Sequence, residues 1–166
     1  MKILSKVASA MILSTGLLMA ASYSVDNAHS NVGFTVKHMM VTNVHGKFTS
    51  YDAKVEFDDA TKTFKKLVAN IDTNSIDTGI EKRDNHLRSD DFFAVEKFPK
   101  MTFEMTSYKA DGDDGKMTGN LTIRGITKPV VLEVEDISVL GDKVGFSVEG
   151  KINRQDFDLK WNKAIE

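Results

Sequence analysis

The sequence predicts an all-β domain of many short antiparallel strands, accompanied by one or two short helices. Two observations carry this. Segments along most of the chain alternate apolar and polar side chains with period two, and turn residues stand between several of them. A third observation places the helices: one stretch, residues 74–99, breaks the alternation.

Residues 1–21 precede the fold and read as an address. Lys2 and Lys6 supply a short positive region, Val7 to Met19 is mostly apolar, and the small residues Ala20, Ala21 and Ser22 close the segment. That is the three-part pattern of a secretory signal peptide, with cleavage expected after Ala21. Ser9, Ser14, Thr15 and Gly16 interrupt the stretch, which is too short for a membrane span. The expected mature domain, residues 22–166, has no stable membrane span and is exported.

From His29 to Lys37, Val32, Phe34 and Val36 share one face. Tyr51, Ala53, Val55 and Phe57 share the next, followed by Leu67, Ala69 and Ile71. Met101, Phe103 and Met105 oppose Thr102, Glu104 and Thr106. Met117, Leu121 and Ile123 oppose Thr118, Thr122 and Arg124. Val130, Leu132 and Val134 come next, then Phe146 and Val148. Each run fits a half-buried strand. Asp113-Asp114-Gly115 and Leu140-Gly141-Asp142 predict tight hairpins, and residues 124–129 predict a turn from which Pro129 opens a strand. In the segment without alternation, Ser89 or Asp90 is the expected N-cap of a short helix.

Composition removes several functions. A formal charge of −2 opposes a general binder of phosphate backbones, so no nucleic acid is expected as a partner. Cysteine is absent, which excludes disulfides, thiol catalysis and Cys-ligated metals. His29, His38, His45 and His86 match no compact ligand spacing, so no metal is predicted. No nucleophile elbow or phosphate-cradling glycine loop occurs, and no catalytic residue is assigned. Strands of this kind build a sandwich or a closed barrel, and the pattern alone does not choose. Ten phenylalanines against one tryptophan and three tyrosines give a ring-rich inner surface, which a barrel either fills or opens to one small ligand.

Four stretches are more specific than any periodicity: HSNVGFTVKH at 29–38, RDNHLRSDDFF at 83–93, GNLTIRGITKP at 119–129 and INRQDF at 152–157. In this order, with Gly46-Lys47-Phe48 and Phe98-Pro99 between them, they resemble the YceI-like family of exported polyisoprenoid-binding proteins. The resemblance implies a lipocalin-like, antiparallel up-and-down β-barrel of about eight strands, with a helical segment packed beside it. It also implies non-enzymatic binding of an isoprenoid or other long-chain lipid, with no cofactor required. Two departures stand out. Asp158 occupies a position that is commonly glycine in the family, and the chain ends after Trp161-Asn162-Lys163-Ala164-Ile165-Glu166 where the family continues into a last strand. Lacking that strand, a barrel keeps two open edges, which favour pairing into a homodimer.

If the barrel is hollow, strand parity nominates its apolar lining: Val32, Phe34, Val36, Phe48, Val55, Phe57, Leu67, Ile71, Met101, Phe103, Met105, Leu121, Ile123, Leu132, Phe146 and Val148. Phe92, Phe93 and Phe98 would close one end from the helical segment. Arg83, His86 and Arg88 are candidates for a polar head group at the mouth, set against a structural network in which Asp84 pairs with a nearby arginine. Burying one five-carbon isoprene unit from water yields roughly 4 kcal/mol. A membrane lipid is already out of water, so its transfer is near neutral. A carrier therefore needs a preformed, dry cavity and a head-group contact rather than a large apolar drive. The expected function is periplasmic binding, and transport or storage, of a polyisoprenoid, isoprenoid quinone or fatty-acid amide. Two rivals are an enzyme acting on a lumen-bound lipid and a stress or interaction protein whose barrel is filled by its own side chains.

Overall fold

The computed structural model describes residues 20–38 and 42–161; the expected signal segment, Ala20 and Ala21 apart, lies outside them. Strands β1 (Ala21–Ser24), β4 (Tyr51–Asp58), β5 (Thr63–Asp72), β7 (Lys100–Asp111), β8 (Asp114–Ile123), β9 (Ile126–Leu140) and β10 (Lys143–Glu149) form one sheet in the order β1-β4-β5-β7-β8-β9-β10. Every pairing in it is antiparallel. Strands β2 (Val32–His38), β3 (Thr42–Phe48) and β6 (Ile76–Asp77) form a separate three-stranded sheet in the order β2-β3-β6. One helix, α1 (Glu81–Arg88), follows β6. The large sheet curls into a nearly closed antiparallel barrel of seven strands, the architecture that the family resemblance implies and that alternation alone left open against a sandwich. Among the described residues β1 and β10 share no ladder, and they approach through side chains: Tyr23 of β1 and Val144 and Phe146 of β10 pack on the same buried cluster.

Turn chemistry sets the registers. Arg124 and Gly125 both take positive φ, 51° and 71°, between the paired Ile123 and Ile126, the geometry of a two-residue I′ hairpin. Strand β9 therefore starts at Ile126, three residues before Pro129, which lies inside the strand opposite Asn120. This corrects the expected start at Pro129. The proline is tolerated because β10 leaves β9 at the Glu149–Glu133 pair, so the side of β9 away from β8 carries no ladder there. The β7–β8 turn is Gly112-Asp113, closed by Asp111 opposite Asp114, not Asp113-Asp114-Gly115. Gly112 supplies the positive φ at the first turn position, while Gly115 is a ladder residue beneath Tyr108. The expected turn at Gly141-Asp142 is present.

Two buried clusters fill the molecule. The first gathers Val55, Phe57, Phe64, Leu67, Phe103, Met117, Val134 and Ile137. Phe64 is its aromatic hub, with edge-on contacts at 4.8 Å to Phe57, 5.0 Å to Tyr108 and 4.9 Å to Phe146. The second holds Phe48, Ile71, Ile76, Met101, Ile123, Phe157 and Leu159, and is capped by the small sheet and by residues 154–159. Val32, Phe34 and Val36 thus belong to the small sheet rather than the barrel wall. Val32 and Phe34 still pack on the second cluster, whereas Val36 is 41% exposed.

Packing is close where strands lean together. A Cβ on Gly119 would stand 2.3 Å from the Phe103 ring and 2.6 Å from the Glu104 carbonyl oxygen. Gly119→Ala is expected to lose about 1–3 kcal/mol through overpacking. Gly33→Ala, whose new Cβ meets nothing nearer than 3.2 Å, changes stability far less. Urea unfolding of both variants checks this.

Candidate functional site

Register lines up the inward side chains in tiers around the barrel. Ala53 faces Ala69, Ala69 faces Phe103, Phe103 faces Leu121, and Leu121 faces Lys128. On one side of this tier lie Val55 with Leu67 and Phe57 with Phe64; on the other lie Tyr51 with Ile71 and Ile123 with Ile126. The flanking tiers are largely buried, but Ala53, Ala69 and Leu121 are only half-buried and Lys128 is exposed. Phe103 leans out of the tier toward Gly119 and into the first cluster. Ala69, Leu121 and Val130 touch both clusters. The middle tier is therefore a seam between two apolar plugs, where Ala53, Ala69 and Leu121 are less deeply buried than the plugs on either side.

Most of the nominated lining falls on one plug or the other. Val55, Phe57, Leu67 and Phe103 are buried in the first, with Met105, Leu132 and Phe146 packed against it. Phe48, Ile71, Met101 and Ile123 are buried in the second, with Phe92 and Phe93 against it; Leu121 joins both. Phe98 covers Gly125 instead, and Val148, opposite the buried Val134, is 36% exposed because β10 is an edge strand. Parity reasoning missed Phe64, Ile76, Ile137, Phe157 and Leu159. A register shift after Glu56 sets Phe64 opposite Phe57, and Asp136 at φ 58° turns Ile137 inward, so neither follows the simple alternation. Two recesses open at the surface. One, about 270 Å³, is lined by Ser50 to Asp52, Asn70, Asp72, Pro99 and Lys100. The other, about 500 Å³, lies between residues 128–131 of β9 and residues 151–157.

The helical segment is tied to the second plug by its own polar groups. Helix α1 starts at Glu81 after Gly79 (φ 77°), and Ser89 is its C-cap, so the expected N-cap role of Ser89 or Asp90 is not what the fold uses. Asp84, 6% exposed, accepts hydrogen bonds from the Thr78 amide and hydroxyl. Arg83 donates to the Thr78 hydroxyl and carbonyl, and Arg88 donates to the carbonyls of Asn74 and Ile76. The Asp84 carboxylate and both arginines thus meet residues 74–78 rather than one another. His86 bonds Asp91 at 2.9 Å and lies edge-on to Trp161 at 4.5 Å and to Phe92 at 5.1 Å. These three head-group candidates hold the segment in place.

Arg124, in the β8–β9 turn, donates to the carbonyls of Asp90 and Phe92 and pairs with Asp158 at 3.5 Å. Asp158 adopts φ 60°, the left-handed conformation that favours glycine; aspartate tolerates it better than most residues. A hydrogen bond from Lys160, then the charges of Lys160 and Arg124, hold its carboxyl below the ordinary carboxylate value.

Comparison with known proteins agrees with this geometry. A sequence model described as the YceI-like domain matches residues 23–166. The chain belongs to the YceI-like family. Protein YceI of Salmonella newport is 39% identical over 158 residues, 91% of this chain and 83% of that protein. The crystal structure of the Campylobacter jejuni YCEI protein, 46% identical, superposes with a TM-score of 0.68 over 82% of this chain and 83% of that one. Burkholderia cenocepacia BcnA, 28% identical, gives a TM-score of 0.76 over 84% and 87%. A polyisoprenoid binding domain from Saccharophagus degradans shares the fold at 18% identity and a TM-score of 0.51, over 86% and 79%.

Two outcomes follow for this YceI-like domain. Arg83→Ala leaves the Asp84–Thr78 corner without its neighbour and is expected to cost about 1–3 kcal/mol in thermal or urea unfolding; unchanged melting would contradict the structural role. The lowered carboxyl of Asp158 contributes stability above the ordinary carboxylate value, lost as pH falls through the lowered one. Asp158→Asn should therefore be less stable than wild type at neutral pH, with the two converging once the pH falls below the lowered carboxyl value. Unfolding across a pH series reads this directly.

Proposed function

We propose that this YceI-like protein binds one long-chain amphipathic lipid, such as a polyisoprenoid, an isoprenoid quinone or a fatty-acid amide, and carries or stores it in the periplasm without chemical change. The single observation that carries the reading is the middle tier. Leu121, Ala53 and Ala69 face the barrel interior between two packed clusters yet keep contact with solvent. An apolar surface with that geometry gains from a hydrocarbon chain laid along it, at about 25 cal/mol per Å² removed from water. The tail would part the two plugs at their seam and replace the contacts they make there. Methionines 101, 105 and 117 supply side chains that adapt to a branched chain. That a domain of this fold from Saccharophagus degradans is a polyisoprenoid binding domain supports the choice of ligand class. The charged, small-to-apolar leader at residues 1–21 supports the periplasmic location.

The test is organic extraction of protein purified without detergent, followed by mass spectrometry. Wild type should release a long-chain amphiphile in near-stoichiometric amount. Ala69→Phe, which fills the seam, should retain about tenfold less, equivalent to about 1.4 kcal/mol, while still folding by circular dichroism. Extracts free of lipid would favour a filled barrel acting through its surface. Turnover of the extracted lipid on incubation would make the protein an enzyme.

A further inference from the structure

Lys128 is out of place on its strand. Ile126, Val130, Leu132 and Val134 of β9 share its face and pack on the apolar clusters, and Lys128 stands directly opposite Leu121. A lysine in such a row is costly unless its ammonium reaches water. It does: Lys128 is exposed, near the start of β9 and beside the β8–β9 turn. There it lines the 500 Å³ groove, whose lining also includes Val130, Phe157 and a second lysine, Lys151. Phe157 is buried in the second cluster, and Val130 touches both clusters, so the groove's apolar floor is continuous with the seam. The groove stays open along its length because β10 has left β9 at Glu149 and Pro129 offers no amide to a further strand.

Among the described residues Lys47, Lys62, Lys65, Lys66, Lys97, Lys116 and Lys160 pair with carboxylates; Lys128 and Lys151 do not, nor do Lys37, Lys54, Lys82, Lys100, Lys109 and Lys143, but of these eight only Lys128 and Lys151 line the groove. Asp156 also lines the groove, leaving a formal excess of one positive charge over the three ionic side chains. Arg83 and Arg88, the alternative cations, direct their donors to the chain's own carbonyls. We propose that this groove is the mouth of the lipid site, where Lys128 and Lys151 bind an anionic head group, a phosphate or carboxylate, while the tail passes over Val130 into the seam. The proposal rests on the lipid-binding reading above and adds the place and charge of the head. The lysines select against a neutral head, and exposed Asp156 reduces their charge without cancelling it.

The experiment compares farnesyl phosphate with farnesol, by calorimetric titration of wild type and of the Lys128→Gln/Lys151→Gln double variant. Wild type should bind farnesyl phosphate more tightly than farnesol. The double variant should lose about tenfold in affinity for farnesyl phosphate, about 1.4 kcal/mol, and none for farnesol, with the remaining difference shrinking as salt rises. Equal effects on both probes, or none on either, overturn the head-group site while leaving lipid binding intact. If neither probe binds wild type, the lipid reading falls and this site falls with it. Displacement of farnesyl phosphate by millimolar inorganic phosphate, with farnesol unaffected, would make the groove a free-anion site and overturn its assignment to a lipid head.

Discussion

Closure of the barrel by side chains, in place of backbone hydrogen bonds, is the constraint on which the rest of this structure depends. The first and last strands of the seven-stranded sheet share no ladder among the described residues. What joins them is the packing of Tyr23, Val144 and Phe146 on the cluster around Phe64. A hydrogen-bonded seam is directional and stiff, whereas an apolar one is proportional to area and yields to another apolar surface. The same physics operates inside, where two clusters meet at a tier of small side chains. Under the lipid-binding reading proposed above, both seams are where a hydrocarbon chain could enter without breaking a ladder.

The polar groups do the opposite work. Buried Asp84 and half-buried Arg83 and Arg88 are tied to the backbone of residues 74–78, and Arg124 bridges the β8–β9 turn to Asp90, Phe92 and Asp158. A buried donor left without an acceptor costs more than a made bond returns, so such a network tolerates little motion. It anchors the second plug and the helical segment while the barrel seam stays soft. No buried side-chain nitrogen or oxygen among the described residues lacks a partner, so the soft part of the molecule is its apolar part.

Much of the fold was legible in the residues. Alternation placed the strands of the large sheet except β1, whose first residues read as the end of the leader, and the Arg124-Gly125 and Gly141-Asp142 turns fell where glycine and positive φ demand them. The second sheet was not legible, because residues 42–48 lack a clean alternation and β6 is two residues long. Helix α1 was placed in the right segment with the wrong end capped: Ser89 suits an N-cap by chemistry, but Gly79 and the Asp84–Thr78 corner start the helix eight residues earlier. Of the candidate site, parity found Leu121 and the walls on either side of it. It could not find Lys128, since a charged residue beside a turn reads as surface until the ladder puts it opposite Leu121.

By itself the sequence determined the class of structure, the family and the identity of the inward row on most strands, because period-two burial and turn residues act over a few neighbours. The tertiary structure alone decided how far each row is buried, which cations remain unpaired and where the interior meets water. Those depend on which strands become neighbours and where a ladder stops. A strand's own residues carry its parity, but only the partner it meets, and the point at which that partner leaves, decides whether a side chain ends in a plug, in a seam or at a mouth.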